Sequence, residues 1–235
     1  MNRFFSHNIQ GNTGILDETE SFHCIKVLRL KTGDEVSLVD GKGGFFKGII
    51  AIANQKACEI NIYKSQFGFG KRNFQIHIGI APTKSIERLE WFLEKATEIG
   101  VDEITPIICQ RSERKILRED RLKKVITSAI KQSIKAYIPV LHPLTPFEKF
   151  IDIQNPGNKL IAHCMDGTRH DLIKFRPVSN DFTILIGPEG DFSEKEVQLA
   201  ISKGYNPVSL GESRLRTETA GVAVCQIIAS LMAMQ

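Results

Sequence analysis

Apolar residues in the first 70 positions alternate with polar ones or run unbroken over strand lengths. DEVSLVD (34–40), FFKGIIAIAN (45–54) and ACEINIYK (57–64) have this form, and GKGG (41–44) and Asn54-Gln55 between them are hairpin chemistry. One helix is expected at 19–30, where Phe22, Ile25, Val27 and Leu28 recur near helical spacing before Gly33. Short consecutive strands with tight turns predict a small barrel. A Gly-rich, basic stretch, FGFGKRN (67–73), then reads as a linker. Beyond it the period changes. FQIHIGIA (74–81), EITPIICQ (103–110), KLIAHC (159–164) and FTILIG (182–187) read as strands, with a short one near PVSL (207–210). Between them Ile86, Leu89, Phe92, Leu93, Ala96 and Ile99 mark one face of a helix ending at Gly100. Leu122, Val125, Ile126, Ala129, Ile130 and Ile134 mark another, and two more are expected at 193–203 and 217–234. Such alternation predicts a mostly parallel sheet covered on both faces, giving an α/β chain divided into 1–70 and 71–235.

Composition narrows the setting. The 235 residues are 42% hydrophobic and 25% charged, as in an ordinary globular protein. No apolar run approaches the roughly 18–20 residues that span a bilayer, and the N-terminus lacks the apolar stretch of a signal peptide. Five scattered cysteines without a CxxC pair support neither a disulfide framework nor a zinc ribbon. A reduced, cytoplasmic setting is expected. The net charge is only +4, but RSERKILREDRLKK (111–124) holds seven Arg or Lys against three acids, enough for a basic face toward phosphates or for a solvated helix surface.

Three loops stand where parallel-sheet proteins bind ligands, beyond the carboxyl ends of strands. HCMDGTRHD (163–171) is the first. GPEGDFSEKE (187–196) is the second, with a Ser193–Glu196 capping box and a Phe192–Val197 staple. LGESRLRTETAG (210–221) is the third, and Thr217 or Thr219 can start the last helix. Gly187 and Gly190 allow close backbone approach, and helix N-termini offer unpaired N–H groups to anions. GxxxxGK[ST], GxGxxG after a strand, HExxH and clustered Cys/His spacings are all missing, so no nucleoside-triphosphate loop, ordinary dinucleotide site or metal is expected. His163 and His170 share a loop without metal-ligand spacing.

At IGPEGDFSEKE and LGESRLRTETAGVAV the chain resembles the RsmE family, the small-subunit rRNA uridine-N3 methyltransferases of the SPOUT superfamily. HCIKVLRLKTGDEVSLVDGKG (23–43), KSIERLEWFLEKATEIGVDEITPIICQRSER (84–114) and KQSIKAYIPVLHP (131–143) carry the likeness through most of the chain. The resemblance implies an N-terminal PUA-like RNA-binding barrel (1–70) and a C-terminal methyltransferase domain (71–235) threaded as a trefoil knot, paired as a homodimer through the knot. It implies S-adenosylmethionine as cofactor, held by His163, Cys164, Ile186, Gly187, Pro188, Glu189, Gly190, Leu210, Gly211, Leu215, Arg216, Thr217 and Ala220. The chain departs from the family's usual pattern at Asp191, at Glu212-Ser213-Arg214, and at Lys131 and Lys135. The substrate implied is 16S rRNA or the assembled small subunit. N3 of uridine carries a proton, so Glu218 as base or Arg216 as a stabiliser of charge on O2 and O4 are the catalytic candidates. The alternative is that Glu218 complements the helix dipole and Arg216 pairs with it. Arg3, Arg29, Arg111, Arg114 and Lys135 are candidate RNA contacts. A knot enzyme for another RNA or base, and a non-catalytic RNA-binding knot protein, are the rival readings.

Overall fold

Two sheets organise this computed structural model, which describes residues 2–133, 135–153, 157–165 and 167–234. The chain divides into two compact units, Met1–Lys71 with Thr127–Ile138, and Arg72–Ile126 with Pro139–Gln235.

The first unit contains β1 (Asn2–Phe5), β2 (Asn8–Gln10), β3 (Thr13–Ile15), helix α1 (Glu18–Phe22), β4 (Glu35–Val39), β5 (Phe45–Ile52) and β6 (Glu59–Gln66). They form one six-stranded sheet in the order β1-β4-β5-β6-β3-β2. The alternation in β6 is realised: Ile60 and Ile62 are buried while Asn61 and Tyr63 are exposed. Phe4, Leu16, Val36, Leu38, Phe46 and Ile50 share their core. Asp40 closes the β4–β5 turn, its Oδ1 accepting from Lys42 N at 2.7 Å and Gly44 N at 2.8 Å. The other face of β4 explains why Thr127–Ile138 belongs to this unit. Val39 and Phe5 pack with Ile130 and Ala136, and buried Glu20 accepts from Phe5 N at 3.2 Å and Lys131 Nζ at 2.6 Å. The helix expected at 19–30 is shorter: α1, capped by Asp17, runs directly into a π-helical turn at His23–Val27. Strands β1, β2 and β3, three or four residues each, carry too little period to be read from sequence.

The second unit is a parallel sheet. Its strands are β7 (Gln75–Ile80), β8 (Glu103–Ile108), β9 (Val140–Leu141), β10 (Thr145–Pro146), β11 (Asn158–Ala162), β12 (His170–Asp171), β13 (Asp181–Ile186) and β14 (Asn206–Ser209). The order is β10-β8-β7-β13-β11-β14-β12, with β9 also paired to β8, and every pairing is parallel. Its helices are α2 (Ile86–Ile99), α4 (Phe147–Ile151), α5 (Glu194–Ser202) and α6 (Thr217–Ala233), and α3 (Glu119–Ser133) begins here. Gly100 ends α2 at φ +117°, a left-handed cap that glycine adopts without a Cβ penalty. Successive residues of a strand point to opposite faces. Gly79 meets Phe150 of α4 while Ile80 meets Gly221 of α6, so α4 and α6 cover opposite faces of the sheet, as the alternation predicted. Of the α3 stripe, Leu122, Ile126, Ala129 and Ile130 are buried, and Ile134 lies outside the described residues. The two-residue strands and the five-residue α4 are too short to carry a readable period.

Candidate functional site

β13, β11 and β14 are neighbours, so the loops leaving their carboxyl ends lie side by side. They wall a cavity of about 290 Å³. The loop after β13 is fixed from several sides. Ser193 and Glu196 form the expected capping box, and the second carboxylate oxygen of Glu196 accepts from Gln110 N at 2.7 Å. Arg111 Nη1 donates to Gly190 O at 2.7 Å and Phe192 O at 3.3 Å. Lys84 N donates to Glu189 Oε1 at 2.9 Å. Asp191 stands at φ +63° and joins this loop to the one after β11: its carboxylate accepts from Phe192 N and Cys164 N, each at 2.8 Å. From α6, Thr217 Oγ1 donates to Gly187 O at 2.9 Å, a buried bond.

The structure brings His163, Cys164, Ile186, Gly187, Pro188, Glu189, Leu210, Gly211, Leu215, Arg216, Thr217 and Ala220 to this one cavity. Gly190 is not among its walls; a Cβ there would face Arg111 at 3.5 Å. The two glycines serve different ends. A Cβ on Gly187 would stand 3.0 Å from the Phe192 ring, so this glycine answers to packing. Gly211, at φ +122° with no atom within 4 Å of a Cβ, answers to backbone conformation. Among the described residues, neither buried ring nitrogen of His163 has a partner. Burial pulls its imidazole below the ordinary value; Asp191 opposes this shift and Arg169 adds to it. Arg169 Nη1 donates to His163 O at 2.7 Å. Arg169, Asp191, Ser213 and Arg214 also line the cavity and were missed from sequence. Asp191 had a signal, since it sits between a glycine and a capping box.

The catalytic candidates are separated. Arg216 is exposed at the N-cap of α6 and lines the cavity. Glu218 is buried and absent from the cavity's walls, with Oε1 3.8 Å from Arg88 Nε of α2. The ion partner of Glu218 is thus Arg88, where the sequence suggested Arg216.

Residues 70–229 match the RNA methyltransferase domain family, and residues 16–63 match the RNA methyltransferase PUA domain. The chain belongs to the RNA methyltransferase family. A probable rRNA-methyltransferase from Porphyromonas gingivalis is 42% identical, with a TM-score of 0.91 over 100% of this chain and 99% of that one. A ribosomal RNA small subunit methyltransferase E from Neisseria gonorrhoeae bound to S-adenosyl methionine is 28% identical, with a TM-score of 0.87 over 98% of each chain. The ribosomal RNA small subunit methyltransferase E of Aquifex aeolicus is 26% identical over 97% of this chain and 99% of its own.

In this RNA methyltransferase several basic residues expected to meet RNA already have work. Arg111 holds the loop after β13, and Arg114 donates to Thr83 O at 3.0 Å and Lys84 O at 2.6 Å. In the first unit, Arg3 lies over the Phe45 ring, 5.5 Å from its centroid, and burial lowers its pKa. Arg29 is exposed with φ +56°, and Lys135 is half-buried just beyond α3. Among the described residues no helix is long and apolar enough to cross a membrane.

Proposed function

We propose that this chain transfers a methyl group from S-adenosylmethionine to N3 of a uridine in small-subunit (16S) rRNA, with residues 71–235 as the knotted methyltransferase domain and 1–70 as the PUA-like RNA-binding domain. The observation that carries the reading is the cavity at the carboxyl ends of β13, β11 and β14, walled by loops far apart in sequence. Its walls suit the cofactor. Ile186, Val208, Leu210 and Leu215 offer apolar surface to the adenine, and Arg169 and Arg214 offer cations to the carboxylate. The unpartnered nitrogens of His163 supply hydrogen-bonding capacity beside it. When bound, the cofactor supplies a methyl group already activated by its sulfonium.

The protein's own share is positioning and charge. Arg216, exposed at the cavity wall, favours the uracil anion by facing charge on O2 or O4, which eases loss of the N3 proton to solvent water. Glu218 is a positioning residue: its carboxylate anchors the first turn of α6 to Arg88 and lies in that helix's favourable N-terminal field. The partners are 16S rRNA, naked or within the small subunit, and a second copy of the chain, in the cytoplasm where ribosomes are assembled.

The test is incubation of the protein with labelled S-adenosylmethionine and ribosomal particles from a strain lacking it, followed by mapping of the label. One uridine methylated at N3 is the expected product. Arg216→Ala should lower kcat by about 10²–10³, the scale for losing one charge-stabilising donor. Label on another base, or none, rejects the reading.

A further inference from the structure

The fold gathers one group of side chains that no spacing in the sequence announced. His77 on β7 and Glu103 at the start of β8 are register partners. His142 follows β9, whose Val140 pairs with the same Glu103, and His142 N donates to Ile104 O at 2.8 Å. One ligand atom from each of the three side chains lies within 4.8 Å of the others. The two imidazole rings are 5.4 Å apart between centroids. The group sits toward the amino ends of β7 and β8, whereas the cofactor cavity opens at the carboxyl ends of the sheet.

We propose that His77, Glu103 and His142 bind one first-row divalent transition ion of the zinc, cobalt or nickel class. Two imidazole nitrogens and one carboxylate oxygen are the donors such borderline ions select, whereas magnesium and calcium call for shells of oxygen. Each donor comes from a different segment, and the backbone hydrogen bonds of parallel pairing fix two of those segments against β8. Thr105 Oγ1, 2.8 Å from His77 Nε2, orients that ring, as outer-shell partners do for ligating histidines. Glu103 and His142 are about a third exposed, so an ion reaches them from solvent. Without an ion the group is held by the contact of His142 Nε2 with Glu103 Oε2 at 2.6 Å, which an ion would replace. Three protein donors leave a fourth position for water. The ion ties β7, β8 and the segment after β9 together, and its contribution is to stability.

Metal-stripped full-length protein titrated with Co²⁺ should develop visible d–d absorption saturating at one ion per chain, lost when Zn²⁺ is added. X-ray absorption of the zinc form should show nitrogen and oxygen neighbours at about 2.0–2.2 Å. Zn²⁺ should raise the melting temperature and leave S-adenosylhomocysteine affinity unchanged. His142→Gln and Glu103→Gln should each weaken binding more than about tenfold, since even outer-shell changes cost about 10–100-fold. Both are partly exposed and preserve volume; a circular dichroism spectrum like that of the parent confirms that each folds. His7→Gln, an exposed histidine elsewhere, should bind as the parent does. Absence of binding by the parent overturns the proposal. So does undiminished binding by both variants, which would put the ion at other residues.

Discussion

Asp191 occupies a left-handed conformation that costs a non-glycine residue roughly 1–2 kcal/mol. The cost is offset by two backbone N–H groups bound to its carboxylate, one of them from the neighbouring loop. Asp191→Gly should therefore leave the melting temperature nearly unchanged, because relieved strain and broken hydrogen bonds oppose each other. The link to Cys164 would be gone, and S-adenosylhomocysteine affinity should fall about fivefold, the equivalent of roughly 1 kcal/mol for one hydrogen bond. Calorimetry on both proteins checks this; equal affinities would show that the link does not shape the cavity. Gly211→Val makes a second residue-scale test. No described protein atom stands near a Cβ there, so in the free protein its φ of +122° is what penalises a side chain. Binding should weaken through distortion of the loop, and Gly211→Ala should weaken it nearly as much as valine does. Had bulk been the cause, alanine would be tolerated.

Among the elements, those with a full period were legible and those without were not. Helix α2, with its apolar face and glycine stop, and strands β7, β11 and β13 fall within one or two residues of expectation. The three short N-terminal strands, the π-helical turn and α4 hold too few residues to repeat anything. The cavity loops were readable because glycines and a capping box mark them. The His77–Glu103–His142 group was not, because strand pairing assembles it from 66 positions of sequence. Close packing of α2 on α6 was likewise hidden. A Cβ on Gly221 would lie 2.5 Å from Phe92 and 3.1 Å from Ile80, although the helical backbone there accepts any residue. Gly221→Ala should destabilise the protein by about 1–3 kcal/mol through overpacking, despite alanine's better helix propensity. Denaturant unfolding decides, and a gain in stability would mean that the helices move apart freely. The basic segment also divides by element. Arg111 and Arg114 brace loops, whereas Arg118, just before α3, and Lys124, in its second turn, are exposed. Arg118→Ala with Lys124→Ala should lower the salt dependence of RNA affinity by about 0.7–0.9 log units for each phosphate no longer neutralised, without affecting S-adenosylhomocysteine binding. Arg111→Ala should weaken both. Parallel salt plots for parent and double variant would exclude the α3 surface from the RNA interface.

At the scale of the molecule, the last helix keeps part of its apolar surface exposed. Gly221, Val224, Cys225, Ile228 and Met232 of α6 are buried. Ala223, Ile227 and Leu231 recur every fourth residue on an adjoining flank, and each stays partly exposed. Such a row suits contact with another apolar surface. The proposed homodimer supplies a specific occupant, a second copy of the same helix region. Symmetry makes the demand economical, since a self-complementary patch closes on itself and leaves no surface for further growth. The expectation is a sedimentation mass near twice the 26.4 kDa of one chain at micromolar concentration. Leu231→Glu places a carboxylate in that row, where pairing would bury it without a partner, and should yield the mass of one chain with its circular dichroism retained. Because Ile227 and the loop residues Leu210, Gly211 and Ser213 line one further cavity, the dissociated variant should also bind S-adenosylhomocysteine more weakly. A parent protein that sediments as one chain refutes the dimer. A Leu231→Glu variant that still sediments as two chains would move the interface away from α6.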